Sequence, residues 1–253
     1  MEPNLLPAYR SKAIEELRAQ WLKSPNALTP LDSSLDAALR AVNSLPLKPP
    51  DRDPYVGIFS KPASPSRDIL LTTGWFPQTD NVWRSPRLRP DNTCSCSSTT
   101  CLIDYFRPGL KILDDQYIKT FYEGEYGDTT DHEAHVRCAQ EAYGILTEFR
   151  QDFTFDLLNK ELESNRIVIL AVLHRGTPEN PSGGHVIVCR GVTSDRNGYW
   201  FMDPYGSMNN GYQGPVEEGK CVLYTRQELQ TRWYCPPGYP AGGYARIFKG
   251  LVK

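Results

Sequence analysis

The chain has 253 residues, with 28 Lys and Arg against 30 Asp and Glu for a net charge of −2. That balance gives no electrostatic footing for nucleic acid or an anionic membrane surface. Apolar residues make up 40% of the chain, enough for a core at this length, and no apolar run approaches the ~18 residues of a membrane-spanning helix.

The amino terminus, "MEPNLLPAYRSK", lacks the basic-then-apolar pattern of a secretory signal, so synthesis in a cytosol without a signal peptide is expected. Residues 8–23 predict an amphipathic helix, with Ala13, Leu17 and Trp21 at four-residue steps on one face. A shorter helix is predicted over 33–45, capped by Ser33 or Ser34. Six prolines between 46 and 66 then break the chain. They divide a helical N-terminal appendage with its connector, residues 1–54, from a main domain, residues 55–253.

In the main domain, "DILLTTGWF" (68–76) predicts a strand, and 97–107 and 131–146 predict helices. Residues 155–165 predict another helix, followed by the β-branched run "RIVILAVL". "HVIVCRGV" (185–192) and "GYWFMDP" (198–204) read as strands joined by a hairpin at Asn197-Gly198, and "CVLYT" (221–225) as a further strand. Helices followed by an antiparallel sheet predict an α+β fold.

The stretch "PDNTCSCSSTTCLIDYF" (90–106) holds three of the seven cysteines. A zinc site could join Cys94 and Cys96 to His132 and His135, but no C-x-x-C pair follows to complete a ligand set. No metal or other cofactor is therefore expected. A disulfide cluster fits poorly with a cytosolic origin and C-x-C spacing, although Cys221 with Cys235 stays open. A third reading is a nucleophile. Ser95 to Thr100 suit a first helical turn, and apolar periodicity begins at Cys101. A thiol just ahead of that helix meets its positive dipole end, which favours the thiolate.

A thiolate nucleophile needs a histidine, and the chain has four. His132 and His135 share a polar helix face and are expected to be solvated; His174 is expected in a loop. His185 opens a strand after two glycines in "SGGHVIVCRG", where close approach of another chain is allowed. Asp203 in "FMDPYG" lies one hairpin further on, at the same end of the sheet. Either residue alone suits an ordinary structural role. Cys, His and Asp in this order, on helix, strand and next strand, favour catalysis.

These motifs resemble those of the bacteriocin-leader (double-glycine) cysteine peptidases and their wider papain-like relatives. In that superfamily a Cys followed by Ser and Thr opens the central helix, a Gly-His starts a strand and an Asp-Pro-x-Gly follows. "TCSCSSTTCLIDYFRPG", "GGHVIVCRGV" and "DPYG" match that pattern. The resemblance implies a papain-like fold, its central helix packed on an antiparallel sheet. It places Cys94 at the reactive position and Cys96, the alternative nucleophile, two residues on and pointing inward. It also implies an oxyanion-binding Gln78 in "WFPQTDN", which is similar to the superfamily's "SQRDN" segment. The insertion "VWRSPRLRP" separates Gln78 from Cys94, and Asn92 is the alternative donor.

"DDQY…GDTTD" (114–131) and "YTRQ…RW" (224–233) are similar to phage-encoded members. That resemblance implies a phage lysin cutting peptides of the bacterial cell wall, made in the host cytoplasm and acting at the wall after lysis or from the virion. A peptidase processing a phage or host protein, or a virion component with little activity, are the alternatives. The N-terminal helices would suit docking to other virion proteins. No nucleic-acid partner is expected.

Overall fold

The computed structural model describes residues 68–82, 89–236 and 241–252. All of them belong to one compact unit, Lys61–Lys253. The predicted helices over 8–23 and 33–45, the proline connector and the division at residues 54 and 55 lie outside the described residues.

In chain order, β1 (Ile69–Leu70) leads to three helices: α1 (Cys94–Phe106), α2 (Asp114–Glu123) and α3 (His132–Tyr143). They are followed by β2 (Ile145–Phe153), α4 (Phe155–Glu163), β3 (Val168–Thr177), β4 (Asn180–Val192), β5 (Gly198–Met202) and β6 (Val222–Thr225). A short helix, α5 (Arg226–Leu229), runs into a π turn, Gln230–Tyr234, before β7 (Gly243–Leu251). The strands form one sheet in the order β2-β7-β3-β4-β5-β6, with β1 against the end of β4 and every pairing antiparallel. None of the helices among the described residues is long and apolar enough to cross a membrane.

Each face of the sheet carries its own core. One holds Leu102, Ile103, Tyr117, Phe121 and Ala134 from α1 to α3 against Ile169, Val186 and Val188. The other holds Phe155, Leu158 and Leu162 of α4 with Trp233 against Val168, Leu170, Ile187 and Phe201. Successive residues of β3 and β4 alternate between the two cores, as the period-2 geometry of a strand requires. A sheet covered on both faces explains why "VILAV" is apolar without interruption.

Several sequence expectations are corrected here. The strand expected over 68–76 pairs only at Ile69 and Leu70. Beyond Leu71, whose N–H still donates to the Arg190 carbonyl, the chain turns to α1: Thr73 donates to the Cys101 carbonyl and the Gly74 N–H to Asp104. The close crossing at β4 relies on Gly191, where a Cβ would lie 2.3 Å from the Ile69 carbonyl oxygen. The helix expected over 131–146 stops at Tyr143, because Gly144 takes a left-handed φ of 64°. Residues from Ile145 become a strand instead.

The strand expected over 185–192 begins at Asn180, since β3 and β4 form a long hairpin paired from Val168↔Cys189 to Thr177↔Asn180. His185 therefore lies inside a strand rather than at its start. His174 lies in β3, not in a loop.

Candidate active site

α1 carries an unusual load of polar residues for a buried helix: Ser95, Ser97, Ser98, Thr99 and Thr100 are all buried. Their hydroxyls are satisfied locally or across the fold. Thr99 and Thr100 donate to the carbonyls four residues back, Ser97 donates to Asp114 and Ser98 to the Val186 carbonyl on β4. The Ser98 bond ties the first turns of α1 to the strand that carries His185. The helix begins at Cys94, three residues earlier than predicted, so Cys94 is its first residue rather than lying ahead of it. The cap residue Thr93 makes no side-chain cap bond; its hydroxyl donates to the Pro90 carbonyl. The positive end of the helix dipole is thus left to act on the Cys94 sulfur.

The Cys94 thiol lies close enough to the His185 imidazole for each to shift the other's titration. The imidazole Nε2 lies 2.7 Å from Oδ1 of Asp203, which leaves Nδ1 for the thiol. His185 is 3% exposed and Asp203 is wholly buried, so the pair acts in a medium where charge interactions are strong. Burial alone would push the imidazole down. The adjacent Asp203 charge and hydrogen bond, followed by those of Cys94, instead raise its pKa from 6.5 to about 10. Burial alone would push the Cys94 thiol up, but His185 and backbone hydrogen bonds at Val186 and Ser95 outweigh it and leave the pKa below the usual thiol value. Both shifts favour the thiolate–imidazolium form over the neutral thiol–imidazole form.

Asp203 is held by more than the histidine. Oδ1 also accepts from the Tyr205 N–H at 2.9 Å. Oδ2 accepts from the hydroxyls of Tyr224 at 2.8 Å and Tyr212 at 3.3 Å. Its own N–H donates to the Gly219 carbonyl. A side chain at Gly219 could not be accommodated, because a Cβ there would lie 2.1 Å from the Asp203 carbonyl oxygen. A buried carboxylate with both oxygens doubly satisfied keeps one orientation.

His174 stacks on His185 with ring centroids 4.6 Å apart. Tyr205 and Tyr212 flank the same imidazole at 6.2 and 6.0 Å. Burial, followed by the neighbouring His185 charge, depresses the His174 pKa to about 3. With the Tyr212 proton directed to Asp203, the neutral His174 donates from Nδ1 to the Tyr212 oxygen, 3.1 Å away. Sequence reasoning missed Tyr212, Tyr224 and His174 as members of this network. Only His174 left a signal: continuing the β-branched strand beyond Leu173 would have brought it beside the His185 strand.

Gln78 is 1% exposed. Its backbone N–H donates to the Pro204 carbonyl, next to Asp203, and Nε2 donates to the Pro90 carbonyl, four residues before Cys94. With His174, Arg175, Gly183, Gly184, His185 and Tyr205 it lines a cavity of about 220 Å³. Pro90 engages the Gln78 amide nitrogen, and Oε1 is buried without a partner among the described residues. Most of the insertion between Gln78 and Cys94, residues 83–88, lies outside the described residues.

The other candidates sit elsewhere. Cys96 is wholly buried against α2 and α3, and burial, followed by the nearby Cys94, pushes its thiol well above the usual value. His135, expected to be solvated, is wholly buried. Tyr117 donates to its Nδ1 at 2.7 Å and its Nε2 donates to the Thr129 carbonyl at 2.9 Å, an arrangement that suits a neutral ring. His132 is half-buried and stacks on Phe149 at 4.4 Å. All seven cysteines are free, Cys221 and Cys235 among them. Among the described residues no group of three or more His, Cys, Asp and Glu side chains could hold a metal ion.

The profile of the Peptidase_C39 like family matches residues 71–234, a span that runs from before Gln78 to beyond Tyr224. The chain belongs to the Peptidase_C39 like family. Membership supports a cysteine peptidase activity, and the helix-on-antiparallel-sheet architecture is the papain-like α+β fold. Among solved structures, a C39-like peptidase from Bacillus anthracis is similar at 12% identity, with 74% of this chain and 99% of that chain covered and a TM-score of 0.49. No curated protein matches the chain.

Proposed function

We propose that this Peptidase_C39 like protein hydrolyses peptide bonds with Cys94 as nucleophile, His185 as general base and acid, Asp203 as the group that orients His185, and Gln78 as an oxyanion donor. The observation that carries the reading is the fully buried Asp203 carboxylate 2.7 Å from His185, with Cys94 at the start of a helix and its thiol coupled to the same imidazole. The thiolate attacks the carbonyl carbon, and the charge that develops on its oxygen is met by a Gln78 amide N–H and the Cys94 N–H. The His185 imidazolium gives its proton to the leaving amine. His185, now neutral, takes a proton from the water that hydrolyses the thioester, and the thiolate–imidazolium pair is restored.

The substrate in this reading is a peptide of the bacterial cell wall, and the protein is a phage lysin. What supports that choice is the likeness of residues 114–131 and 224–233 to phage-encoded members; the site chemistry suits any peptide bond. On sequence pattern alone, the reading assigns residues 1–54 to docking on a larger assembly. The test is digestion of purified cell walls, with new free amines counted and the fragments weighed by mass spectrometry. Release of wall peptides by the native chain and none by Cys94→Ala supports a lysin. Cleavage of a protein substrate with intact walls supports a processing peptidase, and turnover of neither supports a structural role.

A further inference from the structure

Arg246 lies in the middle of β7, at 2% exposure, on the sheet face that packs against α1. Among the described residues its guanidinium hydrogen-bonds only to the first turns of that helix. Nη1 donates to the Thr99 hydroxyl at 2.8 Å, and Nη2 donates to the Ser95 hydroxyl at 2.9 Å and the Ser95 carbonyl at 3.4 Å. Nε is buried without a partner, and among the described residues no carboxylate pairs with it. The titratable groups around it are Cys94 and Cys96 on α1, Tyr117 on α2, and His132 and His135 on α3. Its partners across the flanking strands are Phe149 and Ile169, which carry no charge.

A buried cation without a counter-ion is costly, and this one stands at the positive end of a helix dipole, which adds to the cost. Burial lowers the Arg246 pKa to about 10, opposed by Tyr117, Cys96 and Cys94 in that order; of these, Tyr117 and Cys96 are held as neutral acids by their own burial, and both histidines are held neutral. The one neighbour whose proton is loosened, by His185 and backbone hydrogen bonds, is Cys94, next in sequence to the Ser95 that Arg246 grips. The Cys94 thiolate is the anion this placement accommodates.

We propose that Arg246 is a positioning residue that pins the first turns of the nucleophile helix and, as a fixed buried cation, biases the Cys94–His185 pair toward thiolate and imidazolium. The proposal rests on the peptidase reading and adds to it a charge supplied from β7, two strands along the sheet from the β4 that carries His185. It also accounts for the hydroxyls at positions 95 and 99, which satisfy the guanidinium without neutralising it.

The test is the pH profile of iodoacetamide alkylation at Cys94, located by mass spectrometry, in the full chain and three variants. In the native chain the reactive limb lies below the usual thiol range. Arg246→Gln, which keeps a polar group and loses the charge, moves that limb up by about one pH unit. Arg246→Lys keeps it within a few tenths of a unit. Thr99→Val removes a hydrogen bond but no charge, and leaves the limb in place. A folded Arg246→Gln with an unmoved limb overturns the proposal, as does a Lys variant shifted as far as Gln. If the Gln variant does not fold, the Lys variant decides: a retained limb supports the charge and a lost one refutes it. A native Cys94 that alkylates like an ordinary thiol removes the peptidase reading itself, and this proposal with it.

Discussion

Asp203→Asn isolates the charge behind His185 while leaving the fold in place. Oδ1 would still accept from the His185 and Tyr205 N–H groups, and the new Nδ2 could donate to the hydroxyls of Tyr212 and Tyr224 where Oδ2 now accepts from them. The charge is what disappears. Burial alone pushes His185 down, and the Asp203 charge heads the causes that raise it from 6.5 to about 10. Without that charge the imidazole falls below its ordinary value and is neutral at pH 7. Cys94, whose thiol is lowered chiefly by His185, then rises under the burial that opposes ionisation. The substituted enzyme starts from thiol and imidazole instead of thiolate and imidazolium. An Asp-to-Asn change behind a catalytic imidazole costs on the order of 10²–10⁴ in rate, or about 3–5 kcal/mol of barrier. The assay is the pH dependence of kcat/KM on a fluorogenic peptide. In the native chain the high-pH limb reports loss of the His185 proton near pH 10. In Asp203→Asn that limb falls below neutrality together with the maximum rate. An unchanged high-pH limb, or a rate within a few fold of native, refutes the role given to Asp203.

Cys94→Ala abolishes turnover while circular dichroism stays native; Cys96→Ala keeps turnover and lowers stability by about 1–2 kcal/mol in urea melts, because it empties a fully buried site. Gln78→Ala lowers kcat roughly ten- to a thousandfold with KM little changed, as expected of a donor engaged mainly in the transition state, and steady-state kinetics separate the two terms. Thermal melts fall steeply below pH 6.5. His132 and His174, with pKa values held near about 3, and His135, held well below 6.5, stay neutral when folded but take up protons when unfolded. Their contribution is present above 6.5 and is lost as pH falls toward their folded values, at up to about 1.4 kcal/mol per histidine per pH unit. His135→Asn flattens that dependence in melts compared at pH 7 and pH 5.

Local signals were enough wherever the chemistry of a segment is its own. The capping residues and apolar periodicity after Cys94 announce α1, β-branched runs announce β3 and β4, and Asp203-Pro204 announces a turn at the end of β5. Cys94, His185 and Asp203 stood out as candidates because Cys94 opens a run of helix-starting residues, His185 follows two glycines and Asp203 precedes a proline, although His185 lies inside its strand and not at its start. The tertiary structure decided what depends on partners distant in the chain. β2 carries Glu148, Arg150 and Asp152 and reads poorly as a strand; it forms because β7, about a hundred residues later, supplies its ladder. Asp203 has its orientation from Tyr212 and Tyr224, whose hydroxyls reach it only after β6 pairs with β5 and the intervening loop folds back. Arg246 shows the limit most sharply. A sequence reader places an arginine on the solvent side of a strand, since an isolated charge is expensive to bury. Only the packed helix, with Ser95 and Thr99 turned toward the sheet, provides the hydroxyls that let this charge be buried beneath the start of α1.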